Sequence, residues 1–173
     1  MEMDHEAYAN FLIEHQQELN LPYPFAIKLS FLSSPLLFGQ GLLIFEEESF
    51  EVIGAAGFVC GTGANNYEDR HICQVEVAYL LPVYRRTPLF ALSLHAVVTL
   101  MKEEEPGVEQ VQFWASTGEV EYRRLFSKFL ALPGASALQE GSLTCYRIPF
   151  SALEAYSQRL RQGRVESPAV RPI

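Results

Sequence analysis

The chain has 173 residues, of which 49% are hydrophobic and 20% charged, and its formal net charge is −8. That length supports one domain with a sizeable core, while the acidic balance argues against a broad nucleic-acid or anionic-membrane surface, since both need net positive charge. The acidic start lacks the basic residues and apolar run of a signal peptide, and no stretch approaches the ~20 apolar residues of a membrane span, so a cytoplasmic protein is expected.

Asp4 can cap a first helix reaching about Leu19, with Tyr8, Phe11, Leu12, His15 and Leu19 in one stripe. Asn20-Leu-Pro-Tyr-Pro24 ends it, because proline cannot continue a helix. Phe25 to Leu32 reads as a strand, Ser33-Ser-Pro35 as a turn, and Pro35 to Gln40 as a loop or short helical turn. Gly41 to Glu47 and Phe50 to Gly61 read as a hairpin. In its second arm Phe50, Val52, Gly54, Ala56, Phe58 and Cys60 share a face by period two. The small run Gly54 to Gly57 admits either a close approach to the backbone or tight packing under a helix. Gly61 to Asp69 is a polar, glycine-rich loop. Cys60 and Cys73 lie in strand-like runs as small core residues, and with Cys145 they form no CxxC or Cys/His cluster of the kind that holds zinc.

Ile72 to Leu81 is the central strand. By simple alternation Glu76 shares a face with Gln74, Ala78 and Leu80, while Val75, Val77, Tyr79 and Leu81 take the other. Thr87-Pro88 starts a helix to about Glu104, the threonine as cap and the proline at the first helical position. Its apolar residues run nearly all round, so it is expected to be buried on more than one side. Gln110 to Ala115 is a strand, and Gly118-Glu119 opens a helix to about Leu130. Ala137–Leu138 and Ser142 to Ile148 can form a final strand pair, and Ser151 to Gln162 a short amphipathic helix. One domain is expected over residues 1–162, with a loose tail at 163–173.

A strand followed by a loop with Arg85 and Arg86 and then a helix N-terminus makes a good anion site, because backbone N–H groups and the helix dipole converge there. A local basic pocket of this kind is compatible with an acidic chain. Arg123, Arg124 and Lys128 on the late helix offer a second group of cations.

This order of elements, over roughly residues 25 to 150, resembles the GNAT superfamily of N-acetyltransferases. The resemblance implies an α/β (α+β) fold with a mixed, mostly antiparallel central sheet flanked by helices and a splayed central pair of parallel strands. In the superfamily the turn after the central strand reads Gln/Arg-x-x-Gly-x-Gly/Ala and holds the pyrophosphate of acetyl-CoA. Here the aligned residues are Arg85-Arg86-Thr87-Pro88-Leu89-Phe90, with proline and phenylalanine at the small positions. The resemblance implies donor contacts from the backbone of Leu80, Leu81 and Val83, from Arg85, Arg86, Thr87, Leu89 and Phe90, and from Glu119, where relatives often carry asparagine. It makes Glu76 the candidate general base. Relatives often place a proton-donating tyrosine where this chain has Phe126; Tyr122, one helical turn earlier, is the substitute on the same face.

The resemblance thus implies an acyl-CoA-dependent N-acyltransferase, most simply an acetyltransferase, with acetyl-CoA as donor substrate and no metal. The acceptor would be the amine of a small molecule or a protein, with neither nucleic acid nor membrane as partner and a homodimer as one option for assembly. The missing glycines, asparagine and tyrosine leave an alternative open, a GNAT-like binding or regulatory protein without catalysis.

Overall fold

The computed structural model describes residues 2–118, 120–162 and 170–173. In chain order these form α1 (Glu2–Glu14), α2 (Phe25–Phe38), β1 (Gln40–Phe45), β2 (Val52–Cys60), β3 (Ile72–Leu80), α3 (Pro88–Glu104), β4 (Gln110–Ser116), α4 (Arg123–Leu130), β5 (Ser136–Glu140), β6 (Leu143–Pro149), α5 (Phe150–Arg161) and β7 (Val170–Pro172). The strands make one sheet in the order β5-β6-β4-β3-β2-β1-β7. Neighbours are antiparallel except β3 and β4, which run parallel. No described helix is long and apolar enough to cross a membrane.

Two hydrophobic cores lie on the two faces of this sheet. On one face Tyr8, Phe11 and Leu12 of α1 and Leu32 of α2 pack on Leu43, Ala55, Val77 and Tyr79. On the other, Val98 and Met101 of α3, Phe129 of α4 and Leu153 of α5 pack on Phe58, Cys73, Val111 and Ile148. Cys60 and Cys73 are buried, directly opposite each other on β2 and β3, with Sγ atoms 2.8 Å apart. The small run on β2 resolves as tight packing. A Cβ on Gly57 would lie 2.5 Å from Pro35 Cγ and from Tyr8 Oη, so α1 and α2 rest directly on that backbone.

Three local expectations are corrected. Phe25 to Leu32 is helical, not extended, and the helix continues through Pro35 to Phe38. Its alternating apolar residues mimic a strand, but burial of Leu32 and Pro35 against the sheet decides the outcome. Pro35 cannot donate to the carbonyl of Phe31, and Ser34 Oγ lies 3.5 Å from that oxygen instead. The first helix stops at Glu14, and the chain from His15 winds through turns that bring Leu19–Leu21 over the sheet; Lys28 Nζ holds the Gln16 carbonyl at 2.9 Å. Finally, Val170–Pro172 is an edge strand on β1 and not loose tail: Arg171 pairs with Leu43, bonds Asp4 Oδ1 at 2.6 Å and covers the Phe45 ring. Residues 163–169 of the expected tail lie outside the described residues.

In the loop joining β2 to β3 one carboxylate gathers three donors. Asp69 accepts from Thr62 N and Thr62 Oγ1, both at 2.6 Å, and from Asn65 Nδ2 at 2.8 Å. Burial by itself raises this carboxyl, but the donors from Thr62 and Asn65 outweigh it and hold it at about 2, against an ordinary 3.8. A depressed carboxyl stabilises the fold above its unfolded value and ceases to do so as pH falls through its folded one. Asp69→Ala is therefore expected to lower the melting temperature at pH 7, with the deficit closing between pH 3.8 and about 2. A deficit that persisted below that window in thermal melts would rule out the carboxylate as its source.

Candidate active site

The parallel contact between β3 and β4 lasts for three pairs: Ile72 with Gln110, Cys73 with Val111, and Gln74 with Gln112. Beyond Gln74 the strands part, while β4 stays paired with β6 along its whole length from Gln110 to Ser116. At the same point β3 carries a bulge. Gly57 of β2 faces Val77 and Phe58 faces Val75, so Glu76 is the extra residue with no partner opposite. A bulge resets the two-residue alternation. Val75 accordingly packs with the α3 core and Val77 with the α1 core, which overturns the expectation that they share a face.

The bulge turns Glu76 to the opening gap and half-buries it. Burial pushes its carboxyl above the ordinary value, and a hydrogen bond from Gln74 opposes that only in part. Gln74 Nε2 reaches Glu76 Oε2 at 3.3 Å, and Gln112 Nε2 donates to Gln74 Oε1 at 2.7 Å. Two side-chain amides thus carry orientation from the last parallel rung to the carboxylate. Sequence reasoning missed both as site residues. The signal was available: Gln112 is a polar residue inside the otherwise apolar strand Val111-Gln-Phe-Trp-Ala115, and it is buried. Tyr8 also lies within electrostatic reach of Glu76, whose charge adds to burial in pushing up the Tyr8 hydroxyl.

Past the bulge, Leu81 N donates to Ile53 O of β2. In an antiparallel ladder the direction alternates, so Ala78 and Leu80 turn their N–H and C=O toward the gap. Ala78 is exposed in mid-strand for that reason. Leu81 faces β2, and Val83, in the short 3-10 turn Pro82–Tyr84, is exposed to solvent. The gap holds a cavity of about 220 Å³. A second hollow of about 350 Å³ adjoins it at the mouth, lined by Glu18, Asn20, Arg85, Glu121 and Tyr122 among others.

Arg85 crosses that mouth. Its Nε donates to Leu80 O at 2.8 Å, and its guanidinium sits 5.3 Å from the Tyr79 ring and 5.2 Å from the Tyr122 ring. It also pairs with Glu121. Tyr79 in turn donates to Glu18, whose carboxylate lies 3.4 Å from His15 Nδ1. The turn behind Arg85 is largely closed on itself. Arg85 N bonds Pro82 O, Thr87 N bonds Tyr84 O, Leu89 N bonds Thr87 Oγ1 and Phe90 N bonds Thr87 O. Arg86 is exposed, and the Phe90 ring lines the cavity. Tyr122 stands at the N-cap position of α4 without a side-chain capping bond and stacks on Phe126 at 5.9 Å, and the helix expected from Gly118 begins at Arg123. Glu119 lies outside the described residues. The structure therefore brings Glu76, Leu80, Arg85, Phe90 and Tyr122 to one gap, and leaves Leu81 and Val83 turned from it.

No family model matches the sequence, and no curated protein matches it. Solved structures match the fold. An acetyltransferase of the GNAT family from Staphylococcus aureus Mu50 is 12% identical, with a TM-score of 0.60 over 84% of this chain and 92% of that one. A ribosomal-protein-alanine N-acetyltransferase from Brucella melitensis is 14% identical, with a TM-score of 0.56 over 86% and 96%. A GCN5-related N-acetyltransferase from the same organism gives 14% and 0.54 over 84% and 69%. With its seven-stranded, mostly antiparallel sheet and one splayed parallel pair, this chain has the GNAT fold.

Proposed function

We propose that this protein is an acyl-CoA-dependent N-acyltransferase. The observation that carries the reading is the coincidence at one point of the β3–β4 gap, the bulge and Glu76. The outward N–H groups of Ala78 and Leu80 and the C=O of Ala78 are an open strand edge, suited to the amide-bearing pantetheine arm of a CoA thioester. Glu76, poised above the ordinary carboxyl range, accepts a proton from the acceptor amine. The amine nitrogen attacks the thioester carbonyl, a C–N bond forms, the C–S bond breaks, and CoA leaves as its thiolate. A thiol of ordinary pKa, about 8.5, leaves without obligatory protonation, and Tyr122 is the candidate donor at the mouth. Orientation of a reactive thioester supplies much of the rate. The acidic mouth residues Glu18 and Glu121 favour a cationic amine as acceptor.

One observation favours the second reading, a binding module. Arg85 already occupies Leu80 O and Glu121, and the amides of Arg85, Thr87, Leu89 and Phe90 are spent internally. In the enzyme reading Arg85 exchanges Glu121 for the pyrophosphate. Calorimetric titration with acetyl-CoA separates the two. Glu121→Ala is expected to tighten binding by up to about fivefold, the scale of an exposed ion pair. Arg85→Ala is expected to weaken it by about tenfold, the scale of a charge-assisted hydrogen bond. No heat from folded wild type and from Glu121→Ala at millimolar acetyl-CoA would leave the binding module as the better reading.

A further inference from the structure

Resting on the transferase reading, we infer that the acyl group this protein takes is a medium-length aliphatic chain, housed in the cavity beyond Glu76. The polar groups lining the 220 Å³ space are Asn20, Glu76, Tyr122 and the indole N–H of Trp114; Asn20 and Tyr122 also line the mouth hollow, and Glu76 and Trp114 lie beside the α1–α2 connection. Everything deeper is apolar. The cavity continues past the point where the strands part, under Val75 and Val111, and reaches Met101 in the C-terminal half of α3 and Leu153 of α5. Leu94, Val97 and Leu125 line it and are only half-buried.

An acetyl group needs none of this depth. A methyl beside the thioester carbonyl would be satisfied at Ala78 and Glu76, leaving the space toward Met101 empty. Interiors are close-packed, and an unfilled apolar void forfeits dispersion contacts along its whole lining. An engineered apolar cavity of ~150 Å³ stays dry and takes a six-carbon benzene. On that scale a cavity of about 220 Å³, less the share beside Ala78, Phe90 and Tyr122 that the pantetheine end takes, holds a chain of up to about eight carbons. The placement is also chemically ordered: the carboxylate stands at the end where the amine reacts, and the apolar walls stand where the tail would run.

Trp114 is the only tryptophan of the chain and lines the cavity, so it reports occupancy directly. The test has two arms. In the first, wild type is titrated with 8-bromooctanoic acid, whose bromine quenches tryptophan on contact. Saturable quenching that octanoate reverses and propionate does not is the expected result. In the second, kcat/KM is measured with acetyl-, butanoyl-, hexanoyl-, octanoyl- and dodecanoyl-CoA against a polyamine acceptor. It is expected to rise by about fourfold per added methylene until the cavity is full, and then to fall. Val97→Phe, with Leu94→Phe as a second filling variant should the first not fold, is expected to abolish quenching and return the preference to acetyl-CoA. Quenching without turnover of any thioester sinks the transferase reading and leaves the apolar site standing. Turnover that is best with acetyl-CoA, with no saturable quenching, overturns the inference and leaves the transferase.

Discussion

Glu76→Gln is expected to lower kcat by about 10²- to 10³-fold, the usual contribution of a positioned general base, with little change in KM for the thioester. The amide keeps the shape and can still meet Gln74, so the loss belongs to the proton and not to packing. The pH dependence gives a sharper check. Burial raises the Glu76 carboxyl, with the Gln74 bond opposing. The wild-type rate should therefore climb as pH rises through that raised value, and the limb should vanish in the variant. Stability must move the other way. A carboxyl raised on folding contributes stability that is present below its unfolded value and lost as pH climbs through its folded value. At pH 7 the buried charge costs stability, so Glu76→Gln is expected to melt higher than wild type while turning over more slowly. A variant that lost activity and melted lower would assign Glu76 to the scaffold.

Gly39→Ala is expected to cost about 3 kcal/mol, the upper end for overpacking, and on the order of 10 °C in melting temperature. Gly39 ends α2, donating its N–H to Pro35 O at 3.0 Å, and passes the chain straight into β1. A Cβ there would lie 2.0 Å from the carbonyl oxygen of Phe58 and 3.0 Å from the Cα of Val59. Both are backbone atoms of β2 near the middle of the sheet, and neither can swing aside as a side-chain tip would. Gly141→Ala is the control. Its φ of +61° disfavours a side chain, but no heavy atom lies within 4 Å of the added Cβ, so a cost of only about 1 kcal/mol is expected. Equal losses at the two positions would show that the contact with β2 does not limit stability at Gly39.

These two sites differ in how far the sequence announced them. Glu76 stood out as an acid inside an apolar strand, but alternation assigned its neighbours to the wrong faces. Gly39 gave no signal, because the atom it must avoid belongs to Phe58, far along the chain. The same division runs through the fold. Thr87-Pro88 set the start of α3 by local chemistry, and the structure has Leu89 N on Thr87 Oγ1 at 3.3 Å as a cap requires. Phe25 to Leu32 carried an alternation that read as a strand, and contact with β2 accompanies the helix it forms instead. Arg85 was legible as a cation beside a helix start. That it would turn inward to Leu80 O, between Tyr79 and Tyr122, depended on rings from distant parts of the chain.

By itself, then, the order of residues determined the central strand with its acid, the capped helix after it and the second strand, because periodicity, capping and breakers act within a few residues. The tertiary structure alone decided the bulge at Glu76, the parting of β3 from β4, the depth of the apolar cavity and the engagement of Arg85. Each of those depends on register and packing between segments tens of residues apart, where the free energy of burial and not local propensity selects the outcome.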